Sequence, residues 1–449
     1  MGKLFGTDGI RGIFNEEPVT LEMGRKVGRA VVRYFGREGA RPRIVLGRDT
    51  RISGQPLQDA IVSGILSQKA EPVLVGELPT PGLAYVTRQL GAEAGVMISA
   101  SHNPYEYNGF KIFSREGYKL DDEAESQIED LIFSDNVPVP LEEEPVSAGE
   151  QEMGQAGERY LSFLQHTLRK GDRLENIKIV LDCANGATYR VAPVLFERMG
   201  AGAESLFVTP DGKNINQGCG SQHPEALCER VLETSADLGL AFDGDGDRMV
   251  AVDEKGNVLT GDQVLVISAK TLKDQGELKN NLVVSTVMSN MGLRVALRNL
   301  GIEHIASRVG DRYVLEEMRK SASMLGGEES GHIIFLQHHT TGDGLLSALQ
   351  LLSAMKTSGQ PLSQLASLMT VFPQVLINVP VKRKPEISSL PELIGVQQDV
   401  EARLGDRGRV LLRYSGTEPL CRVMIEGEQQ EEIDRYARQI AEVVGRLLG

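Results

Sequence analysis

Ile44-Val45-Leu46-Gly47-Arg48-Asp49, Ile179-Val180-Leu181-Asp182-Cys183-Ala184-Asn185-Gly186 and Leu282-Val283-Val284-Ser285-Thr286 read alike: each is a short apolar run that breaks into a polar turn. Short β-branched runs of this kind suit parallel strands covered on both faces. Helical spacing follows each of them. Leu57, Ala60, Ile61 and Ile65 recur at intervals of three and four after the first, and Leu293, Ala296 and Leu297 do so after the third. Strand–helix alternation at this scale predicts three α/β units of related design, without a clean sequence repeat.

The C-terminal stretch differs. Val375–Val381 alternates like an edge or antiparallel strand, and a helix is expected over Leu393–Leu404. Two strands near Val410–Tyr414 and Cys421–Ile425 flank a loop rich in Ser, Gly and Pro. A closing helix carries Ile433, Ala437, Ile440, Val444 and Leu447 on one stripe. Linkers are expected at Asn136–Gly154, at Asp253–Asn257 and near Phe372–Pro373. The division that follows is 1–154, 155–254 and 255–370 for the α/β units and 371–449 for a smaller α+β domain.

The chain has 449 residues, more than one hydrophobic core usually organises. Its 48 Lys+Arg against 62 Asp+Glu give a formal charge of −14, which argues against a nucleic-acid binder. No apolar run approaches the roughly 20 residues a bilayer requires, so no membrane partner is expected. The opening MGKLFGTDGIRG lacks the apolar region of a secretory signal. Four cysteines without a C-x-x-C pair fit a reducing cytoplasm and no structural zinc.

Five loops carry chemistry-bearing residues. In Asp243-Gly244-Asp245-Gly246-Asp247-Arg248, three carboxylates at alternate positions can converge on one hard cation, with glycines letting the backbone turn tightly. Asp243, Asp245, Asp247 and Glu254 also fit positions of an EF-hand frame, but Arg248 stands where that frame needs Gly, and strand-like flanks replace helices. Ser99-Ala100-Ser101-His102-Asn103-Pro104, followed by Asn108-Gly109-Phe110-Lys111, presents a Ser–His pair in a loop stiffened by proline. A serine hydrolase lacks its G-x-S-x-G elbow here. A helix-capping serine is the plain alternative, and a phosphorylated serine beside Lys111 and the aspartates is the functional one.

Arg413-Tyr414-Ser415-Gly416-Thr417-Glu418-Pro419 with Arg422 reads either as a phosphate cradle or as a hairpin connection with a Ser/Thr turn. Gly326-Gly327-Glu328-Glu329-Ser330-Gly331-His332 can hydrogen-bond sugar hydroxyls or can simply join two strands. Phe5-Gly6-Thr7-Asp8-Gly9-Ile10-Arg11-Gly12 presents Asp8 and Arg11. Arg308, in Arg308-Val309-Gly310-Asp311, can touch a phosphate or pair with a nearby acid.

Together, in this order and over essentially the whole chain, the five loops resemble the α-D-phosphohexomutase superfamily. The resemblance implies four domains around a central cleft, three related α/β domains of mixed sheets sandwiched by helices and a C-terminal α+β domain of the TATA-binding-protein-like type. It implies a catalytic group of Ser101, Arg11, Lys111 and His332, with Ser101 phosphorylated. It implies one Mg²⁺ held by Asp243, Asp245, Asp247 and the Ser101 phosphate. Glu328, Ser330, Arg308, Arg248 and His102 would contact substrate, and Arg413, Ser415, Gly416, Thr417 and Arg422 would bind its non-reacting phosphate. The implied reaction interconverts glucosamine 6-phosphate and glucosamine 1-phosphate through a sugar 1,6-bisphosphate, feeding UDP-N-acetylglucosamine synthesis. Mannose or glucose phosphates are the alternative substrates, and a sugar-phosphate binder without turnover is the alternative class. The implied partner is a small-molecule hexosamine phosphate, and a homodimer is compatible with it. Two positions depart from the pattern: Glu329 stands where Gln or Met is usual, and Arg308 where Lys is.

Overall fold

The computed structural model describes residues 4–6, 8–36, 41–135, 150–168, 174–415 and 418–449, with the backbone alone at 150–153. They group into two compact units. One comprises the chain up to 288 together with 302–368, and the other comprises 289–301 with 369–449.

The first unit contains three sheets. The first is built from β1 (Ile10–Ile13), β2 (Arg43–Arg48), β3 (Glu71–Glu77), β4 (Ala94–Ile98) and β5 (Tyr107–Ser114) in the order β1-β5-β4-β2-β3. The second is built from β6 (Lys178–Asp182), β7 (Gly202–Leu206), β8 (Leu238–Phe242), β9 (Met249–Asp253) and β10 (Val258–Leu259) in the order β10-β9-β8-β6-β7. The third, β11 (Leu282–Thr286), β12 (Glu303–Ser307), β13 (Leu325–Gly327) and β14 (Ile333–Phe335), is ordered β12-β11-β13-β14. One design recurs: three parallel strands, then an antiparallel strand hairpinned to the last of them. It is β2, β3 and β4 followed by β5, β6, β7 and β8 followed by β9, and β11, β12 and β13 followed by β14. The three quoted runs are the first strand of each set, and their apolar residues are buried as strands covered on both faces require.

The covering helices are α1 (Leu21–Phe35), α2 (Gly54–Ser67), α3 (Thr80–Leu90), α4 (Asp122–Phe133), α5 (Glu150–Gln165), α6 (Val191–Arg198), α7 (Glu225–Thr234) and α8 (Gly261–Asp274). Among the predicted helical positions, Leu57, Ala60, Ile61 and Ile65 form the buried face of α2. Residues 136–149 of the expected first linker lie outside the described residues, and α5 runs through residue 154. Asp253–Asn257 is the turn of the β9–β10 hairpin, closed by Asp253 accepting from the backbone N–H groups of Lys255 and Asn257.

The helix predicted after the third run is α9 (Met291–Asn299), with Leu293, Ala296 and Leu297 buried. It groups with the second compact unit, although in chain order it is the crossover between the parallel strands β11 and β12. The reason lies at its N-terminus. Asn290 accepts from Gly292 N–H at 2.9 Å and from Phe372 N–H at 2.9 Å, and Met291 N–H donates to Glu426 at 3.1 Å. The chain then returns to the first unit through α10 (Asp311–Ser321), α11 (Gly344–Ser358) and α12 (Leu362–Ala366).

In the second unit β15 (Gln374–Pro380), β16 (Gly408–Tyr414) and β17 (Leu420–Gly427) form an antiparallel sheet ordered β15-β17-β16, with α13 (Pro391–Leu404) and α14 (Gln430–Leu448). Val400, Val423, Ile425, Ile433, Ile440 and Val444 belong to its core. The α14 stripe ends on Leu448, which is buried, while Leu447 is half-buried. The 3.6-residue period carries the stripe from 444 to 448. No described helix is long and apolar enough to cross a membrane.

Candidate active site

The repeated topology puts the chemistry at one equivalent place in each sheet, the turn after the last parallel strand. The β4–β5 connection carries Ser101, the β8–β9 turn carries Asp243–Arg248, and the β13–β14 turn carries Glu328–His332. In open α/β sheets, sites form outside the carboxyl ends of the strands. Glycines let these turns touch. A Cβ on Gly244 would lie 2.5 Å from the Ser101 carbonyl oxygen, and one on Gly331, whose φ is +87, would lie 2.2 Å from that of Met249. Met249 N–H also donates to Gly331 O at 3.1 Å, which joins the second turn to the third.

Ser101 is fully buried, with a left-handed φ of 54. Its hydroxyl donates to Asp243 Oδ2 at 2.6 Å, while His102 Nδ1 stands farther off at 3.4 Å. Burial, then the charges of Arg248 and Arg11, push the His102 imidazole down to about 4. The serine's short partner is a carboxylate, so this is no Ser–His hydrolase pair. Nor does Ser101 cap a helix. It sits in a turn whose N–H donates to Ser99 Oγ at 2.9 Å and whose carbonyl accepts from Arg51 and Asn216, both at 2.9 Å.

Asp243, Asp245 and Asp247 are buried, and each offers a carboxylate oxygen within 4.8 Å of the others. Burial and the other two aspartates push the Asp243 carboxyl well above its ordinary value, whereas at Asp247 burial is outweighed by Lys111 and His332, which hold its carboxyl well below. Asp245 Oδ1 and Asp247 Oδ1 are buried without hydrogen-bond partners. Hard oxygen ligands with open acceptor positions fit a divalent cation such as Mg²⁺. The EF-hand frame fails on geometry as well, because Glu254 is turned away to accept from Ser363 N–H and Oγ–H.

Lys111 shares the trio, standing 2.7 Å from Asp245, 3.1 Å from Asp247 and 3.0 Å from Asp8. Burial alone would lower its ammonium, but Asp245, Asp247 and Asp8 hold it well above its ordinary value. Asp8 also pairs with Arg11 and Lys119, and Lys119 reaches Asp311. His332 closes the circuit, 3.5 Å from Asp311 and 3.7 Å from Asp247. Those two carboxylates outweigh its burial and raise its imidazole. Arg248 anchors the loop by donating its N–H to Asp243 at 3.1 Å. Glu328 accepts from Gly310 N–H at 3.1 Å, and burial together with Asp311 raises its carboxyl. Ser330 Oγ is buried and unpartnered. The sequence residues Ser101, Arg11, Lys111, His332, Asp243, Asp245, Asp247, Arg248, His102, Glu328 and Ser330 thus belong to three adjoining turns and the strands beside them. On the outer side of the serine turn, a cavity of ≈ 510 Å³ lined by His102, Asn103, Lys213, Asn216 and His223 offers small-molecule volume.

Sequence reasoning missed Thr80, Lys119, Arg51 and Asn216. Thr80 donates both its N–H and its hydroxyl to Asp245. Asn216 stands in the Gly- and Asn-rich stretch 211–220 and Arg51 in the polar turn after β2, signals that could have flagged them, whereas Thr80 and Lys119 have no comparable cluster around them. Asp311 lay in a quoted segment, next to Gly310.

Arg308 is placed differently. It is exposed and stacks on the Tyr313 ring, 3.8 Å from its centroid, beside a separate ≈ 400 Å³ cavity. In the second unit, Arg413 and Arg422 are cross-strand partners. Burial and the neighbouring Arg422 charge lower the Arg413 guanidinium. Ser415 Oγ accepts from Glu418 N–H at 3.2 Å, and Arg422 pairs with Glu418 at 3.2 Å. Lys384, not expected from sequence, donates to the Ser415 carbonyl at 2.6 Å. Gly416 and Thr417 lie outside the described residues.

Family models described as Phosphoglucomutase/phosphomannomutase alpha/beta/alpha domains I, II and III match residues 2–137, 158–256 and 260–372, and that of the C-terminal domain matches 376–443. The phosphoglucosamine mutase of Syntrophus aciditrophicus is 57% identical over the full length of both chains, and that of Syntrophobacter fumaroxidans is 54% identical, also over both full lengths. Among solved structures, a phosphoglucomutase/phosphomannomutase family protein of Burkholderia thailandensis shares the fold with a TM-score of 0.79 at 22% identity, over 99% of this chain and 98% of its own. The expected fold of three related α/β domains and a distinct C-terminal domain is therefore that of a known family: the chain belongs to the phosphoglucosamine mutases within the phosphoglucomutase/phosphomannomutase family.

Proposed function

We propose that this chain interconverts glucosamine 6-phosphate and glucosamine 1-phosphate, with Ser101 as the phosphoryl carrier. The observation that carries this reading is the Ser101 hydroxyl, buried 2.6 Å from a carboxylate of the aspartate trio. Full-length relatives bearing the name phosphoglucosamine mutase support the substrate.

Phosphoryl transfer asks for positioning and charge neutralisation more than for covalent help. Asp243, Asp245 and Asp247 would hold one Mg²⁺, which would neutralise charge on the phosphoryl oxygens. In the forward half-reaction the bond from Ser101 Oγ to phosphorus breaks, and a bond forms from phosphorus to the free sugar oxygen. That sugar hydroxyl loses its proton, and Ser101 Oγ regains one. The product is a sugar 1,6-bisphosphate, which turns around and returns its other phosphate to Ser101. Lys111 and Arg11 stabilise the charge on the moving group, and His332, held between Asp247 and Asp311, handles a proton at the sugar oxygen. Glu328 and the unpartnered Ser330 hydroxyl take sugar hydroxyls, while Arg248 and His102 complete the substrate contacts. Arg413, Ser415, Gly416, Thr417 and Arg422 bind the non-reacting phosphate by charge and forked hydrogen bonds, which serve either orientation of the sugar. In the sequence-based division, 1–154 supplies the carrier serine, 155–254 the metal loop, 255–370 the sugar loop and 371–449 the phosphate-binding residues.

The test compares kcat/KM for the 6-phosphates of glucosamine, mannose and glucose in parent and Ser101→Ala proteins. Preference for glucosamine 6-phosphate and loss of turnover in Ser101→Ala are expected. Preference for mannose or glucose phosphate would overturn the substrate, and near-parent turnover without the serine would overturn the carrier.

A further inference from the structure

Both backbone polar groups of Ser101 lead back to one buried carboxylate. Ser101 N–H donates to Ser99 Oγ at 2.9 Å, and Ser99 donates to Asp49 Oδ2 at 2.6 Å. The Ser101 carbonyl accepts from Arg51 Nη2 at 2.9 Å, and Arg51 Nε donates to the same Asp49 oxygen at 2.8 Å. The Arg51 side chain is wholly buried. Two further donors go to the Asn103 carbonyl at 2.8 Å and to that of Pro104. One guanidinium therefore gathers three carbonyls of the serine turn. Asn216, from the second α/β domain, donates to two of them, at 2.9 Å to Ser101 and 3.0 Å to Asn103.

Carbonyls converging on one point repel one another unless a donor sits among them, and here the donor is the wholly buried Arg51 guanidinium. Ser101 also holds a left-handed φ of 54, a region a non-glycine residue keeps only when its surroundings impose it. A planar fork with several fixed donors meets that demand, and a lysine's compact ammonium does not. None of this touches the reacting atoms. The Ser101 hydroxyl faces Asp243, whereas Arg51 holds the peptide behind it.

We propose that Arg51, braced by Asp49, is the positioning residue of the phosphoryl-carrying serine: it locks the 101–104 backbone so that Ser101 Oγ is presented to the aspartate trio. The proposal rests on reading Ser101 as the carrier. It assigns Arg51 a share of turnover without a share of substrate binding. A loosened turn also admits water to the phosphoserine, so the serine-bound phosphate is lost to hydrolysis faster.

The test uses the full chain with Mg²⁺, phosphorylated and checked by intact mass, as parent, Arg51→Lys and Arg51→Met. Steady-state kinetics with glucosamine 6-phosphate gives kcat and KM, and loss of the phosphate mass, about 80 Da, gives the phosphoserine lifetime. The expected result is a kcat lowered about 100-fold in Arg51→Met, the scale of a small misplacement of a reacting group. KM should stay within about threefold, and the phosphoserine lifetime should be shortened in step with kcat. Arg51→Lys, which keeps the charge beside Asp49, lies between; it decides the matter if Arg51→Met does not fold. A folded Arg51→Lys with parental kcat and phosphate lifetime overturns the proposal, as does a loss of activity that only tracks the unfolded fraction. Failure of the carrier reading looks different: phosphate mass is absent in every variant, and Ser101→Ala turns over like the parent.

Discussion

Lys111→Met removes one buried positive charge from among Asp8, Asp245 and Asp247. In the parent that ammonium lies 2.7–3.1 Å from an oxygen of each, and only 2% of its side chain is exposed. Breaking a buried charge pair from one side costs about 3–5 kcal/mol. A divalent cation among the same carboxylates restores the missing charge. It also escapes the repulsion of the ammonium, for which a divalent and a unit charge at roughly 4 Å and an effective dielectric near 20 set a ceiling of about 8 kcal/mol. The variant is therefore expected to be markedly less stable than the parent in EDTA and to recover most of the difference with Mg²⁺. Its Mg²⁺ affinity should rise at least about tenfold, a change of about 1.4 kcal/mol. Turnover moves the opposite way and is expected to fall about 100-fold or more, because the group proposed to neutralise the moving phosphoryl is gone. Urea unfolding with and without Mg²⁺, calorimetric Mg²⁺ titration and kcat on one preparation read all three. A variant whose Mg²⁺ affinity and Mg²⁺-dependent stability match the parent's would refute the claim that lysine and cation share one carboxylate cluster.

Asp245→Asn removes a carboxylate with an unpartnered buried oxygen. Its Mg²⁺ affinity should fall about tenfold or more, and an unchanged Mg²⁺ titration would count against the trio as the metal site. Gly244→Ala sets a Cβ 2.5 Å from the Ser101 carbonyl and 2.8 Å from Asn216 Nδ2. Overpacking should cost about 1–3 kcal/mol and lower kcat, whereas parental activity would mean the two turns need no such approach. His339 is buried with both ring nitrogens committed, Nε2 to the Pro81 carbonyl at 2.8 Å and Nδ1 to Thr340 N–H at 2.8 Å. Burial, only partly opposed by the Pro81 bond, lowers its pKa from 6.5 to about 4. The unfolded chain takes the proton first, so this contribution is complete above about 6.5. It is lost as pH falls toward about 4, at no more than about 1.4 kcal/mol per pH unit. The stability gap between parent and His339→Gln should narrow over that window, and a constant gap would contradict the assignment.

The fold was legible where burial imposes a pattern. β2, β6 and β11 are covered on both faces, so their apolar runs stand out, and α14 shows its stripe because one face alone is packed. The grouping of α9 was not legible, since Asn290 and Met291 find their partners at Phe372 and Glu426, and no local spacing encodes that. The same division holds in the site. Ser101, the aspartate trio and Glu328–His332 sit in turns where glycine and polar residues cluster, which a sequence displays. Thr80, Lys119, Arg51 and Asn216 act through contacts with residues far along the chain. Lys119, for example, joins Asp8 to Asp311. Their own surroundings in sequence, even the Gly- and Asn-rich stretch around Asn216, do not encode which distant residue each one meets. The common placement of the three chemical turns became visible only with strand order, because the sheets share topology without sharing sequence.

Central to the proposed function is one divalent ion shared by the aspartate trio and the serine-borne phosphate. Mn²⁺ in place of Mg²⁺ makes that sharing measurable, because a phosphorus bound through oxygen to the paramagnetic ion shows a hyperfine coupling in pulsed electron paramagnetic resonance. A ³¹P coupling in the phosphorylated protein, absent after dephosphorylation and in Ser101→Ala, is the predicted result. Mn²⁺ bound at the trio with no ³¹P coupling while Ser101 carries its phosphate would contradict it.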